Sequence, residues 1–82
     1  MQVLFSRQAQ HDIERLDRQI AERIISALRR FSETGQGDVV RLQGRTPPEW
    51  RLRAGDWRII FSEWSPASLV VIRVLHRREA YR

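Results

Sequence analysis

The chain has 82 residues, a formal net charge of +5 and no cysteine. This length suits one small domain, and the lack of cysteine excludes disulfide bonds and thiolate metal sites. The two histidines lie far apart in the sequence, which does not indicate a metal site. No apolar run approaches the roughly 18 residues of a membrane span, and the start lacks the pattern of a signal peptide. We therefore expect a single cytoplasmic domain over residues 1–82, with no membrane attachment.

The positive charge is concentrated in the second half of the chain. Residues 1–33 hold six arginines against five acids, whereas residues 34–82 hold nine arginines against five acids. All fifteen basic residues are arginines. Arginine binds phosphate through two parallel hydrogen bonds and keeps its proton near neutral pH. The second half is therefore predicted to attract nucleic acid or an acidic protein partner.

The N-terminal part is predicted to begin with a short strand and to continue as helix. The apolar run at residues 3–5 indicates the strand, and Ser6 is placed to cap a helix that follows. Apolar residues then recur at steps of three or four, the spacing of an amphipathic helix that faces a core. They are Ala9, Ile13, Leu16, Ile20, Ile24, Leu28 and Phe31.

Asp17 interrupts this helical pattern and has the side chain of an N-cap. It favours two helices near residues 7–16 and 18–33 that pack as a hairpin, although one continuous helix fits the spacing as well. Gly35 and Gly37 are predicted to end the second helix. The first half of the chain thus offers helices with one apolar face.

Two strands with alternating polarity, at residues 50–54 and 57–63, are joined by a Gly-Asp pair at the position of a two-residue hairpin turn. Such a turn sets Arg53 opposite Arg58. Counting outward, one face of the hairpin is apolar and consists of Trp50, Leu52, Ala54, Trp57, Ile59 and Phe61. The other face, which we call the arginine face, carries Arg51, Arg53 and Arg58. Because opposed like charges destabilise a sheet, this face needs solvent or an anionic ligand.

The remaining strands are predicted on either side of this hairpin. Residues 38–42 form a short strand or an extended approach, residues 44–48 a loop with two prolines, and residues 68–75 a last strand. Alternation places Val70, Ile72, Val74 and His76 on one side of the last strand, and Leu69, Val71, Arg73, Leu75 and Arg77 on the other. If this second side joins the arginine face, that face gains Arg73 and Arg77.

These features together resemble the RelE/ParE superfamily of bacterial toxins from toxin–antitoxin systems. The resemblance rests on the helical hairpin, the segment EWRLRAGDWRIIF at residues 49–61 and the ending VVIRVLHRREAYR at residues 70–82, and it covers essentially the whole chain. It implies an α+β fold in which an N-terminal strand and a helical hairpin pack on an antiparallel sheet of three to four strands, as in RelE and the microbial ribonucleases. It implies no cofactor.

Two activities occur in this superfamily, and the ending of the chain favours the first. RelE-like members are mRNA endoribonucleases that act in the ribosomal A site, whereas ParE-like members inhibit DNA gyrase and lack the ribonuclease residues. RelE-like chains close with an arginine followed shortly by a tyrosine, as at Arg77 and Tyr81, whereas ParE-like chains typically turn to His-Gly-Ala-Arg. The resemblance implies a ribosome-dependent mRNA endoribonuclease. A ParE-like gyrase inhibitor and a degenerate, DNA-binding corepressor are the alternatives.

The resemblance also implies roles for the arginines. Arg58 and Arg77 match the arginines that clamp the transition state, and Arg51 and Arg53 match a basic pair that is often lysine in characterised ribonucleases. The complete set of predicted RNA phosphate ligands is Arg51, Arg53, Arg73 and Arg78. Such a reaction requires charged donors that point at the phosphate oxygens on which negative charge develops.

Metal-free RNA cleavage also needs a base for the ribose 2′-hydroxyl and an acid for the 5′-oxygen. Tyr81 matches the C-terminal tyrosine of RelE-like toxins and is predicted to act as the general base or to stack on a nucleobase. His76 is the possible general acid, because histidine titrates close to neutral pH. A structural role at a strand end stays open for His76, as does packing at the core edge for Tyr81.

The implied partners are a cognate antitoxin and mRNA in the ribosomal A site, and the toxin–antitoxin complex is expected to bind operator DNA through the antitoxin. The arginine face can alternatively be a solvated surface or the docking surface of the antitoxin. Trp50 and Trp57 fall on the apolar side of the hairpin and are predicted to belong to the core, whereas Trp64 shares the parity of Arg58.

Overall fold

A computed structural model describes residues 1–80 as five strands and three helices. The elements are β1 (Gln2–Phe5), α1 (Arg7–Glu14), α2 (Arg18–Thr34), β2 (Asp38–Leu42), β3 (Glu49–Ala54), β4 (Trp57–Ser65), β5 (Ser68–His76) and α3 (Arg77–Ala80). The predicted α+β class is confirmed. No helix within residues 1–80 is long and apolar enough to cross a membrane.

All five strands belong to one sheet, in the order β1-β5-β4-β3-β2. The pairs from β2 to β5 are antiparallel, whereas β1 lies parallel to β5. The sheet therefore has more strands than the three to four predicted, because the N-terminal strand joins it as a parallel edge strand. Parallel pairing needs a long crossover connection, and the helices provide the first part of it.

The register of the β3–β4 hairpin is as predicted. Arg53 pairs with Arg58, and Trp50 pairs with Phe61. Gly55 in the turn has a φ of 60°, a conformation that other residues rarely adopt. Because paired residues lie on the same side of a sheet, the three hairpin arginines share one face, which is the predicted arginine face.

A β-bulge in β5 corrects the predicted alternation of the last strand. Consecutive residues of β4 pair with Arg73 and Val71, so Ile72 is an extra residue in β5. Strict alternation would place Leu69 and Val71 on the same side as Arg73. Instead both are fully buried in the core, while Arg73 pairs on the arginine face. The bulge lets the first half of β5 fill the core and the second half continue the arginine face.

Two capped helices cover the opposite face of the sheet. The Ser6 hydroxyl accepts a hydrogen bond from Ala9 N at 3.0 Å, and the Asp17 carboxylate accepts one from Ile20 N at 3.0 Å. Two helices are therefore confirmed and one continuous helix is wrong. Helix α2 ends at Gly35 in the left-handed conformation, with a φ of 74°. The largest fully buried side chains are Ile24, Leu28, Leu52, Ile59, Leu69 and Val71.

Helix α1 closes the edge of β5 where β1 has ended. The Ser6 hydroxyl donates to the carbonyl of Ile72 at 2.8 Å. One carboxylate oxygen of Asp12 accepts hydrogen bonds from Val74 N at 2.8 Å and from Arg73 Nε at 2.9 Å, and the other accepts from Arg73 Nη2 at 3.2 Å. Side chains of one helix thus take the place of a neighbouring strand.

We expect Asp12→Ala to lower the free energy of unfolding by about 1–3 kcal/mol, because Val74 N and the Arg73 guanidinium lose their acceptor. Asp12→Asn keeps one acceptor oxygen and should lose less. Glu14→Ala, an exposed change on the same helix, should stay within about 0.5 kcal/mol of the wild type. Urea denaturation measures all three, and an Asp12→Ala midpoint equal to that of the wild type would contradict the proposed edge closure.

Candidate active site

The turn between β3 and β4 holds the side chain of Arg58. Its Nη1 donates to the carbonyl oxygens of Gly55 at 2.8 Å and of Trp57 at 3.1 Å. The residue is only 5% exposed. A buried guanidinium is stable only when its donors find acceptors, and two backbone carbonyls supply them here. The position of Arg58 therefore follows directly from the conformation of the turn.

The same turn anchors Arg77, the first residue of α3. Arg77 N donates to the carbonyl oxygen of Asp56 at 2.8 Å. The side chains form a looser ion pair, with Nε 3.8 Å from the Asp56 carboxylate, and both are more than half exposed. The backbone of Arg77 is thus fixed while its guanidinium remains accessible to a ligand.

Arg53 completes a group of three guanidinium-bearing residues around the turn. It lies opposite Arg58, is exposed, and has Asp38 of β2 as its other strand neighbour. Arg51 lies one step further from the turn on the same face and is half-buried. We call Arg53, Arg58 and Arg77 the turn cluster. Arginines gathered beside one turn suit a phosphate, which accepts charge-assisted hydrogen bonds from several donors.

Arg73 is held away from this cluster by Asp12. Two of its donors are used in the bidentate pair, and the side chain is 39% exposed. The hydrogen bond to the Asp12 carboxylate raises the pKa of Arg73 above its already high usual value. Its role as a phosphate ligand stays a prediction, whereas its contact with α1 is a structural one.

His76 lies on the other side of the sheet from the turn cluster. It pairs with Trp57, and the two rings meet edge to face with centroids 5.3 Å apart. Its Nδ1 accepts a hydrogen bond from Arg78 N at 3.3 Å, and the Arg78 side chain is exposed. The structure therefore does not bring His76 together with Arg53 and Arg58. Tyr81, the predicted general base, lies outside the described residues.

Two contributions to this region were missed from the sequence. The Gly-Asp pair was interpreted as a turn, but not as the source of carbonyl acceptors for Arg58 and Arg77. Asp12 was not singled out, although an acid beside the apolar positions Ala9 and Ile13 of an amphipathic helix is a usable signal. Within residues 1–80, no group of three or more His, Asp or Glu side chains is arranged to hold a metal ion.

Several solved structures with the same fold are toxin–antitoxin complexes. A chain of the RelB–RelE complex from Methanococcus jannaschii is 23% identical, with a TM-score of 0.73 and coverage of 95% of this chain and 94% of that one. The RelE–RelB complex from Pyrococcus horikoshii gives 21% identity, a TM-score of 0.74 and 93% coverage of both chains. The YoeB–YefM complex from Staphylococcus aureus gives 14% identity, a TM-score of 0.74 and coverage of 93% and 95%.

These similarities establish the fold. No curated protein matches the sequence. The family model that matches residues 3–81 is described as the ParE toxin of type II toxin–antitoxin systems, parDE. The match extends over nearly the whole chain, including the turn cluster. The chain therefore belongs to the ParE toxin family of type II toxin–antitoxin systems, within the RelE/ParE superfamily.

Proposed function

We propose that this toxin is an mRNA endoribonuclease that acts in the cytoplasm on messages in the ribosomal A site. The observation that carries the proposal is the turn cluster, in which Arg53, Arg58 and Arg77 all lie next to one two-residue turn. The helices α1 and α2 pack on the opposite face of the sheet, so the cluster lies on the side that an RNA strand can approach. The ending from Arg77 to Tyr81 supports the RelE-like branch.

In the proposed reaction the ribose 2′-hydroxyl attacks the adjacent phosphorus, and the 5′-oxygen leaves with a proton. Arg58 and Arg77 neutralise the charge that develops on the phosphate oxygens, and Arg53 binds the neighbouring phosphate. A positioned donor of this type is worth about 3 kcal/mol in the transition state. Arg58 is suited to the task because its guanidinium is held by two carbonyls before substrate arrives.

The groups that transfer protons are assigned from the acid–base chemistry of their side chains and from the resemblance to RelE-like toxins. Tyr81, which follows Arg77 and Arg78 in the sequence, removes the 2′-hydroxyl proton, as the resemblance to RelE-like toxins implies. His76 packs against Trp57 on the other side of the sheet from the turn cluster. We therefore assign protonation of the 5′-oxygen to a water molecule beside Arg77 rather than to His76. Arg51 and Arg78 are assigned to phosphates outside the scissile bond.

Inhibition of DNA gyrase is the second candidate function, and the match to the ParE family model favours it. A gyrase inhibitor would use the turn cluster to bind protein or DNA and would need no general base. The two functions therefore differ in what they require of Tyr81.

We also propose a cognate antitoxin as the resident partner, as in the complexes that share this fold. With a net charge of +5, the toxin suits an acidic segment of such a partner. Contact of the complex with operator DNA is assigned to the antitoxin.

Primer extension on a translated message after induction tests the proposed cleavage. Wild-type toxin should produce cuts within codons, and Arg77→Ala should reduce the cutting rate about 10²- to 10³-fold, because one transition-state donor is lost. Tyr81→Phe should reduce it as well. Arg41→Ala is the matched control, since this exposed arginine of β2 pairs with Trp50 on the opposite face of the sheet. Full activity of Arg77→Ala would contradict the assignment.

A supercoiling assay with purified toxin and gyrase separates the two candidate functions. We expect no inhibition of supercoiling and no accumulation of cleaved DNA complexes at toxin concentrations that arrest translation. Gyrase inhibition that survives Tyr81→Phe, together with uncut message, would replace the nuclease assignment by the ParE-like one.

A further inference from the structure

We propose that Trp64 stacks on a nucleobase of a single-stranded RNA that also contacts the turn cluster. The inference rests on the proposed function and extends it, since it assigns a second contact several nucleotides from the scissile phosphate. Trp64 is 75% exposed, whereas Trp50 and Trp57 are only partly exposed and pack against the core. An indole ring in this environment presents an aromatic surface to solvent, which is the feature on which bases stack.

The exposure of Trp64 has a local structural cause. Glu63 pairs with Leu69, and Ser65 pairs with Ser68, so Trp64 is an extra residue in β4 with no partner in β5. The Ser65 and Ser68 hydroxyls are hydrogen-bonded at 2.8 Å, which secures the strands beyond the irregularity. The extra position therefore leaves the indole exposed and without a neighbour on β5.

Trp64 lies on the same side of the sheet as the arginines. Alternation holds along β4 as far as Glu63, which pairs with the core residue Leu69, so the next residue, Trp64, falls on the side of Arg58. Trp64 lies six positions after Arg58 along the strand, which corresponds to about 20 Å. Arg51 lies between them, because it pairs with Ile60. A strand of RNA that follows β4 from the turn would therefore pass a second arginine before it reaches the indole.

The charges along this path favour an anionic occupant. Arg51 and Arg53 face it, with the exposed Asp38 of β2 beside Arg53. Arg58 lies on the same side but is buried, with its guanidinium held by the turn carbonyls. The carboxylate of Glu49, which shares this face, is paired with Arg45 at 2.7 Å and is only 19% exposed. Glu63 belongs to the other side by its pairing with the core residue Leu69. A basic surface that ends in an exposed aromatic ring is the combination that single-stranded nucleic acid uses for phosphate contact and base stacking.

Fluorescence anisotropy with a single-stranded RNA, methylated at every ribose 2′-oxygen to prevent cleavage, tests the inference. Trp64→Ala should weaken binding about 5- to 150-fold, the equivalent of one lost stacking contact. Trp64→Phe should retain most of the affinity. The dependence of affinity on salt should be unchanged in Trp64→Ala but shallower in Arg53→Ala, because only the arginine neutralises a phosphate. Gln19→Ala, an exposed change on helix α2, is the control and should bind normally.

Tryptophan emission supplies a readout that a merely structural role would not change. RNA should quench the emission of the wild type and leave that of Trp64→Phe nearly unchanged. The inference is wrong if Trp64→Ala binds as tightly as the wild type, or if the wild type does not bind the oligonucleotide. It is also wrong if Trp64→Ala loses only binding to the antitoxin. Binding that depends on Trp64, in a toxin that makes no cuts in the primer-extension assay, would overturn the nuclease activity while supporting this contact.

Discussion

The two-residue turn between β3 and β4 is the constraint on which the functional surface depends. Its geometry, which requires a positive φ at Gly55, sets the register that sends apolar residues to the helices and arginines to the opposite face. Its carbonyl groups then hold the Arg58 side chain and the backbone of Arg77. The turn therefore specifies the hairpin, orients the guanidinium of Arg58 and fixes the backbone of Arg77 beside it. A flexible arginine on a loop would have to be ordered at each encounter with a phosphate, whereas Arg58 is ordered in advance.

The other half of the arginine face depends on contacts distant in sequence. The bulge at Ile72 allows β5 to bury Leu69 and Val71 and still present Arg73 on the opposite side. Asp12 then secures this part of the strand by accepting from Val74 N and from the Arg73 guanidinium. The arginines therefore have different roles. Arg73 is engaged in joining α1 to the sheet, while the side chains of Arg53 and Arg77 stay available to a ligand.

Local chemistry was sufficient to predict much of this arrangement. The caps at Ser6 and Asp17, the hairpin register and the side taken by Arg53 and Arg58 all follow from short-range rules of spacing and turn geometry. The parallel pairing of β1, the bulge in β5 and the Asp12–Arg73 pair were not predictable in this way, since the last of these joins residues 61 positions apart. The prediction for His76 had a different basis. Strand alternation already placed it on the side of the last strand opposite Arg73 and Arg77, and the expectation of an acid role came from the ordinary titration range of histidine.

The central claim is that Arg53, Arg58 and Arg77 form one anion site built on a single turn. Nitrogen-15 NMR of the arginine Nε–H groups tests it most directly, during titration with a single-stranded RNA methylated at its 2′-oxygens. The account predicts that the three signals move together with one dissociation constant, while those of Arg18 on α2 and Arg41 on β2 stay in place. Movement of the Arg18 and Arg41 signals with a stationary turn cluster, or separate dissociation constants for Arg58 and Arg77, would contradict it.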